Sequence, residues 1–254
     1  MAAIRAFRGW RYDLAQVGPL ADITAPATCI NDDTRRALYE RHPCNIVRVM
    51  SNRPEPGDEN ESIRFERAAD FLRHWQSAGV LERDHEETLF VYHVEYGAAD
   101  ARTVRRGILC RLRLDSVSEC PEADKSEIAA ALHTLQATQT FVVPTLCSTP
   151  ELPEILTAVE SAAYTQTPLQ CNAEDGSIHR VWPVTNLNAL HETAALLDAA
   201  NVSVDGNAEQ FAAALQLHKA TGDSPQDCLA LIVDRPDFET IPALAGIVLC
   251  EMND

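Results

Sequence analysis

The segment Asn201-Val202-Ser203-Val204-Asp205-Gly206-Asn207-Ala208-Glu209-Gln210-Phe211 passes from a short apolar run, through Asp-Gly, into an alanine-rich stretch with helical spacing. A strand that turns on glycine into a helix start aims several unbonded backbone N–H groups at one point, and such a point attracts phosphate or carboxylate. In the functional reading Gly206 lets the backbone approach a ligand, Asp205 orients a hydroxyl or a metal-bound water, and Asn207 donates a neutral hydrogen bond. The simpler structural reading has Asp205 or Asn207 capping the helix and Gly206 at a positive φ angle.

Working outward, residues 186–200 and 208–221 read as helices on either side of a short strand at 202–204. Residues 61–79 carry Ile63, Phe65, Ala68, Phe71, Leu72, Trp75 and Ala78 at three- and four-residue spacing, with Gly79 as the stop. Residues 34–41, 121–138 and 151–163 are further helices, the first opened by Asn31 or Asp32 and ended at His42-Pro43. Strands are expected at 88–96 and 103–114 as one hairpin, and at 169–172 and 177–184 as another, turning at Asp175-Gly176. Residues 46–50, 141–146 (interrupted at Pro144), 228–233 and 246–250 read as buried strands. The expectation is an α/β (α+β) protein with mixed sheets, β-hairpins and packed helices, residues 1–254 forming one unit or two closely packed lobes, 1–118 and 119–254.

The chain has 254 residues, 46% of them hydrophobic, enough for a proper core. With 21 basic and 38 acidic residues its formal charge is -17, which repels nucleic acid and anionic membrane. No signal-peptide pattern and no apolar run of membrane-spanning length is present, so a cytoplasmic location is expected. The eight cysteines are scattered without a C-x-x-C pair, and no His-x-x-x-His pair occurs, so buried free thiols are expected and no metal site. The Walker, dinucleotide-binding and nucleophile-elbow motifs are missing.

Arg8-Gly9-Trp10-Arg11-Tyr12-Asp13, Thr24-Ala25-Pro26-Ala27-Thr28-Cys29-Ile30, Asn45-Ile46-Val47-Arg48, Ser118-Glu119-Cys120 and Val204-Asp205-Gly206-Asn207-Ala208-Glu209 follow one another in a telling order. Together they resemble the amino-terminal two-thirds of the bacterial domain of unknown function family one-zero-one-five, whose longer members continue into a second half. The family pattern at the last segment, Asp-Gly-His-His-Arg, is itself similar to the phosphate-handling turn of ParB-type nucleotide hydrolases, sulfiredoxin and free-serine kinases. That second step is analogy between folds. Besides Ser118, which replaces a histidine, the chain departs from the pattern at two segments. Ala27-Thr28-Cys29 stands where the family carries Pro-Tyr-Asp, and Asn207-Ala208-Glu209 where it carries His-His-Arg. The second change removes cations and adds a carboxylate that repels an anion.

The resemblance leaves Arg11, Tyr12, Asn45 and Arg48 unaltered, which makes them candidate ligand-binding residues with Gly206 and Asn207. A buried guanidinium needs a partner, either a ligand carboxylate or phosphate, or Asp13 or Asp22 in a structural bridge. Asp205 and Glu119 are the catalytic candidates. Glu119 lacks the family's preceding histidine, replaced by Ser118, and reads more simply as a helix-start acid with Glu122 and Asp124. Lys125 reads as a phosphate partner or a surface ion pair with Glu122, and Cys29 is a lone thiol with no histidine placed beside it. The leading expectation is a degenerate, non-catalytic relative, without cofactor, that binds a partner protein, a second copy of itself or a small phosphorylated ligand. The alternative is a small-molecule phosphotransferase or phosphatase using a nucleotide or pyrophosphate with magnesium.

Overall fold

The computed structural model describes residues 3–28, 30–98, 100–198, 200–222, 225–234 and 242–252. Two short strands, β1 (Ile4–Arg5) and β2 (Trp10–Tyr12), lead into single helical turns α1 (Leu14–Val17) and α2 (Leu20–Ile23) and a short strand β3 (Ala25–Pro26). Asn31 caps α3 (Asp32–Arg41) by accepting the Thr34 N–H at 2.8 Å, and His42, held extended before Pro43, ends it. The run at 46–50, expected as a strand, is the helical turn α4 (Val47–Met50). A short apolar run cannot tell the two apart. Here Asn45, fully buried, settles it: its side-chain oxygen takes the Val47 N–H at 3.0 Å while its amide donates to Asp22 and Thr24 carbonyls.

Helix α5 (Ser62–Ser77) buries Phe65, Ala68, Ala69, Leu72 and Trp75 along one stripe, and Gly79 leaves it at φ 71°. Strand β4 (Leu81–Arg83) pairs with β2, and β5 (Leu89–Tyr96) with β6 (Thr103–Arg113) as the expected antiparallel hairpin. After β7 (Val117–Glu119), the Asp124 carboxylate accepts from the Ser126 and Glu127 N–H groups and starts α6 (Lys125–Thr138). The strand expected at 141–146 is two strands, β8 (Thr140–Phe141) and β9 (Thr145–Ser148), in different sheets on either side of Pro144, whose missing N–H suits a break.

Helix α7 (Leu152–Ala163) has Leu152, Ile155, Leu156 and Val159 wholly buried, the leucines and the isoleucine each worth about 2–5 kcal/mol against truncation to alanine. The hairpin β10 (Leu169–Asn172) and β11 (Ile178–Val184) follows, then α8 (Leu187–Asp198), β12 (Val202–Gly206), α9 (Ala208–Thr221) and β13 (Asp227–Val233). The strand expected at 246–250 is replaced by β14 (Leu244–Ala245), a bend, and β15 (Cys250–Glu251). Gly246 makes the bend at φ 82°, so close to Ile46 that a Cβ would lie 2.7 Å from that side chain.

The main sheet runs β10-β11-β5-β6-β13-β9-β12-β7, with β1 also paired to β6. Pairing is antiparallel from β10 to β13, parallel from β13 to β9, antiparallel to β12 and parallel to β7, a mixed α/β arrangement that draws strands from both halves of the chain. All seven residues of β13 are buried. After Asp227 the run Cys228 to Val233 is continuously apolar, which is what a strand covered on both faces requires. Helix α7 packs against β5, β6 and β11; α9 covers β13 and β9, and beside it α6, α5 and α4 stack in turn. Among the described residues no helix is long and apolar enough to cross a membrane.

Candidate functional site

The segment from β12 to α9 folds as strand, turn and helix, but the left-handed residue is Asn207 at φ 52°, ψ 39°, not Gly206. Gly206 stays in the strand, and a Cβ there would meet the Leu146 side chain at 3.2 Å, so its smallness serves the contact with β9. Asparagine tolerates the left-handed region because its short amide finds a local or backbone partner. Here the Asn207 amide donates to the Pro144 carbonyl at 2.8 Å and makes no side-chain cap bond to α9. Asn207 thus stands at the cap position while its side chain anchors the β8–β9 link.

The turn opens on a cavity of about 460 Å3. Asn207, Glu209 and Gln210 line it from the start of α9, Ser126 and Glu127 from the first turn of α6, Arg64 from α5, and Arg35 from α3. Arg35 pairs with Asp32 and donates to the Ser51 hydroxyl at 3.4 Å. The Arg64 guanidinium carbon sits 4.6 Å over the Phe65 ring, and its buried Nε has no hydrogen-bond partner among the described residues. Burial pushes the Glu209 carboxyl above its ordinary pKa, its own N–H and Gln210 pull it back, and the nearby Glu127 raises it again. The cavity therefore joins two guanidinium groups, two carboxylates and a helix N-terminus.

The structure scatters most of the residues singled out in the sequence. Arg11, on β2, makes a two-bond ion pair with Asp84, its Nε 2.8 Å from Oδ1, so its partner is neither Asp13 nor Asp22. Tyr12 is buried and donates to the Cys44 carbonyl at 2.9 Å; burial holds its pKa well above the usual value. Asn45 starts α4 as described. Arg48 donates to the Tyr39 carbonyl at 2.8 Å with its guanidinium 4.4 Å over the Tyr39 ring, and burial lowers its pKa. Glu119 is exposed at the end of β7, opposite Ser203 in register, while Ser118 donates to the Val202 carbonyl. Neither Glu119 nor Asp205 lines the cavity. Lys125 is an exposed first residue of α6, and Cys29 lies outside the described residues. Arg35, Arg64 and Glu127 went unnoticed in the sequence because each sits on an amphipathic helix where a charged residue is ordinary.

A hydroxyl–imidazole pair is also present. Ser177 Oγ lies 2.7 Å from His179 Nε2 and 2.5 Å from Asp175 Oδ1, and the Tyr92 hydroxyl lies 2.7 Å from His179 Nδ1. Ser177 and His179 are both buried, and burial lowers the His179 pKa to about 4. The network ties β5 to the β10–β11 turn, and of its four residues Asp175 lines a cavity, while Ser177, His179 and Tyr92 are buried behind it. Seven described cysteines are free, and among the described residues no group of three or more His, Cys, Asp or Glu is placed to hold a metal ion.

The family model described as "Protein of unknown function (DUF1015)" matches residues 4–226. The chain belongs to the DUF1015 family. No curated protein and no solved structure matches it. In this DUF1015 chain Ala27 and Thr28 from one stretch and Asn207 and Glu209 from another line the same cavity. Met50 and Ser51, just beyond the Asn45–Arg48 segment, complete that wall.

Proposed function

We propose that the chain is a non-catalytic, degenerate relative of a phosphate-handling family, a pseudoenzyme that holds one small polar ligand in the cavity beside Asn207. The observation that carries this reading is the meeting of that turn with Arg35 and Arg64, cations arriving from two other helices, in a space of about 460 Å3. Arg64, whose buried Nε has no hydrogen-bond partner among the described residues, is the group with most to gain from an anion. Glu127 and Glu209 set the opposite limit. In a half-dry site they repel each further negative charge, so a small zwitterion or monoanion is favoured over a nucleotide triphosphate.

The phosphotransferase reading has less support, because phosphoryl transfer depends on positive charge around the migrating group. The Arg11 and Arg48 side chains it relied on are engaged with Asp84 and Tyr39. A protein partner or a homo-oligomer has less support too. Among the described residues the exposed large apolar side chains are Val104, Tyr164 and Leu187, on β6, after α7 and at the start of α8. We place the protein in the cytoplasm, where free thiols such as Cys44 and Cys120 persist reduced.

Thermal-shift measurements with phosphate, serine, phosphoserine, pyrophosphate, ADP and ATP, with and without magnesium, test the reading. Phosphate or phosphoserine should raise the melting temperature with concentration, and Arg64→Ala should abolish the rise. A flat response to every compound overturns the ligand, and phosphate release or transfer from ATP overturns the absence of catalysis.

A further inference from the structure

A second and larger cavity, of about 650 Å3, lies between α2, α3, the end of β5, the β10–β11 turn and the residues leading into β14. Its apolar lining includes Ala21, Ala25, Leu38 and Leu244. Tyr96 lines it, and the Tyr96 hydroxyl is buried with no hydrogen-bond partner among the described residues. A buried phenolic hydroxyl in this state is a donor and acceptor for which the described residues supply no group. At the rim Arg41, from α3, reaches Glu174 in the β10–β11 turn at 2.5 Å, closing the two sides of the opening together. That pair cancels. Asp175, next along the turn and also on the rim, takes the Ser177 N–H and hydroxyl on Oδ1 and has no cationic partner among the described residues.

We propose that this cavity is a binding site for a small organic ammonium ion with an apolar body and a hydrogen-bonding group at its far end. The ammonium pairs with Asp175 at the rim, the body lies on the alanine and leucine lining, and the distal group meets the Tyr96 hydroxyl. The volume suits a ligand of this size. The charge of the whole chain, -17, draws cations toward such a rim and disfavours the carboxylate analogue. This cavity adjoins the one beside Asn207 at Thr28, which lines both, but the two share no charged residue.

Calorimetric titration of the full chain with tyramine, with phenylethylamine, which lacks the phenol, and with 3-(4-hydroxyphenyl)propionate, which exchanges the ammonium for a carboxylate, tests the proposal. Tyramine should bind, the propionate should not, and Asp175→Asn, which keeps the turn's hydrogen bonds, should weaken tyramine by about tenfold or more. Tyr96→Phe should erase the advantage of tyramine over phenylethylamine. Ala37→Trp, an exposed α3 position on the cavity wall, should block binding without touching the core. Arg64→Ala should change nothing here, which separates this outcome from that of the other cavity. Equal binding of amine and carboxylate, or an unaltered response in Asp175→Asn and Ala37→Trp, overturns the assignment.

Discussion

The side-chain amide of Asn207 donates to the carbonyl oxygen of Pro144 at 2.8 Å, joining residues 63 positions apart. The bond fastens the start of α9 to the link between β8 and β9, and it is made from a left-handed backbone. Asn207→Ala loses the bond and strains the backbone, for a combined cost of about 1–3 kcal/mol. Asn207→Gly loses only the bond and should fall between the mutant and the parent. Urea denaturation reads both; equal losses would mean that the left-handed backbone imposes no constraint.

Glu209 sets the sign of the cavity. Its carboxyl is half-buried near Glu127, with a pKa raised chiefly by that burial. Glu209→Arg replaces a repelling group with an attracting one, and Asn207→His with Glu209→Arg adds a second. Phosphate affinity, measured by calorimetry, should rise by about tenfold or more in the double variant. Unchanged phosphate binding would reduce the turn to scaffold.

Arg11 and Arg48 matter for stability rather than for ligand. Arg11→Gln removes the two-bond partner of the mostly buried Asp84 carboxylate, at a cost of about 1.5–3 kcal/mol. Arg48→Gln should likewise destabilise, through its contacts with Tyr39. Neither change should alter the melting-temperature response to phosphate or phosphoserine. Loss of that response in a still-folded Arg11→Gln protein would restore Arg11 as a binding residue.

His179 makes the fold sensitive to acid. Burial lowers its pKa from 6.5 to about 4, so between those values the unfolded chain takes up a proton that the folded chain refuses. Its contribution is fully present above pH 6.5, declines as pH falls through the window and levels off below about 4. The whole difference is about 3 kcal/mol. Denaturation midpoints from pH 7 to 4 should show this slope, and His179→Gln should flatten it. An equal slope in the variant would assign the acid sensitivity to other groups.

Helices α5, α6, α7 and α9 and the two hairpins are legible in the chain because each repeats its apolar residues at one clear period. Residues 46–50 and 246–250 are not. Both are short apolar runs whose conformation is set from outside, the first by Asn45 bonding to Asp22, Thr24 and Val47, the second by Gly246 pressing on Ile46. The sites divide in the same way. The Asp205-Gly206-Asn207 turn can be found from its residues alone, though not that Asn207 takes the left-handed backbone, since that depends on Pro144 and Leu146 from another strand connection.

By itself the sequence determined the mixed α/β class, the acidic balance and the strand-turn-helix at Asn207, all of which rest on local composition and periodicity. Only the tertiary structure decided which charges meet. Arg35, Arg64, Glu127 and Glu209 share one cavity, and Arg41, Tyr96 and Asp175 another, although within each set the chain keeps most members dozens of residues apart. The reason is physical. A helix or strand pattern says which face is buried, but the long-range packing of those faces chooses the neighbours, and electrostatic contacts are properties of neighbours in space.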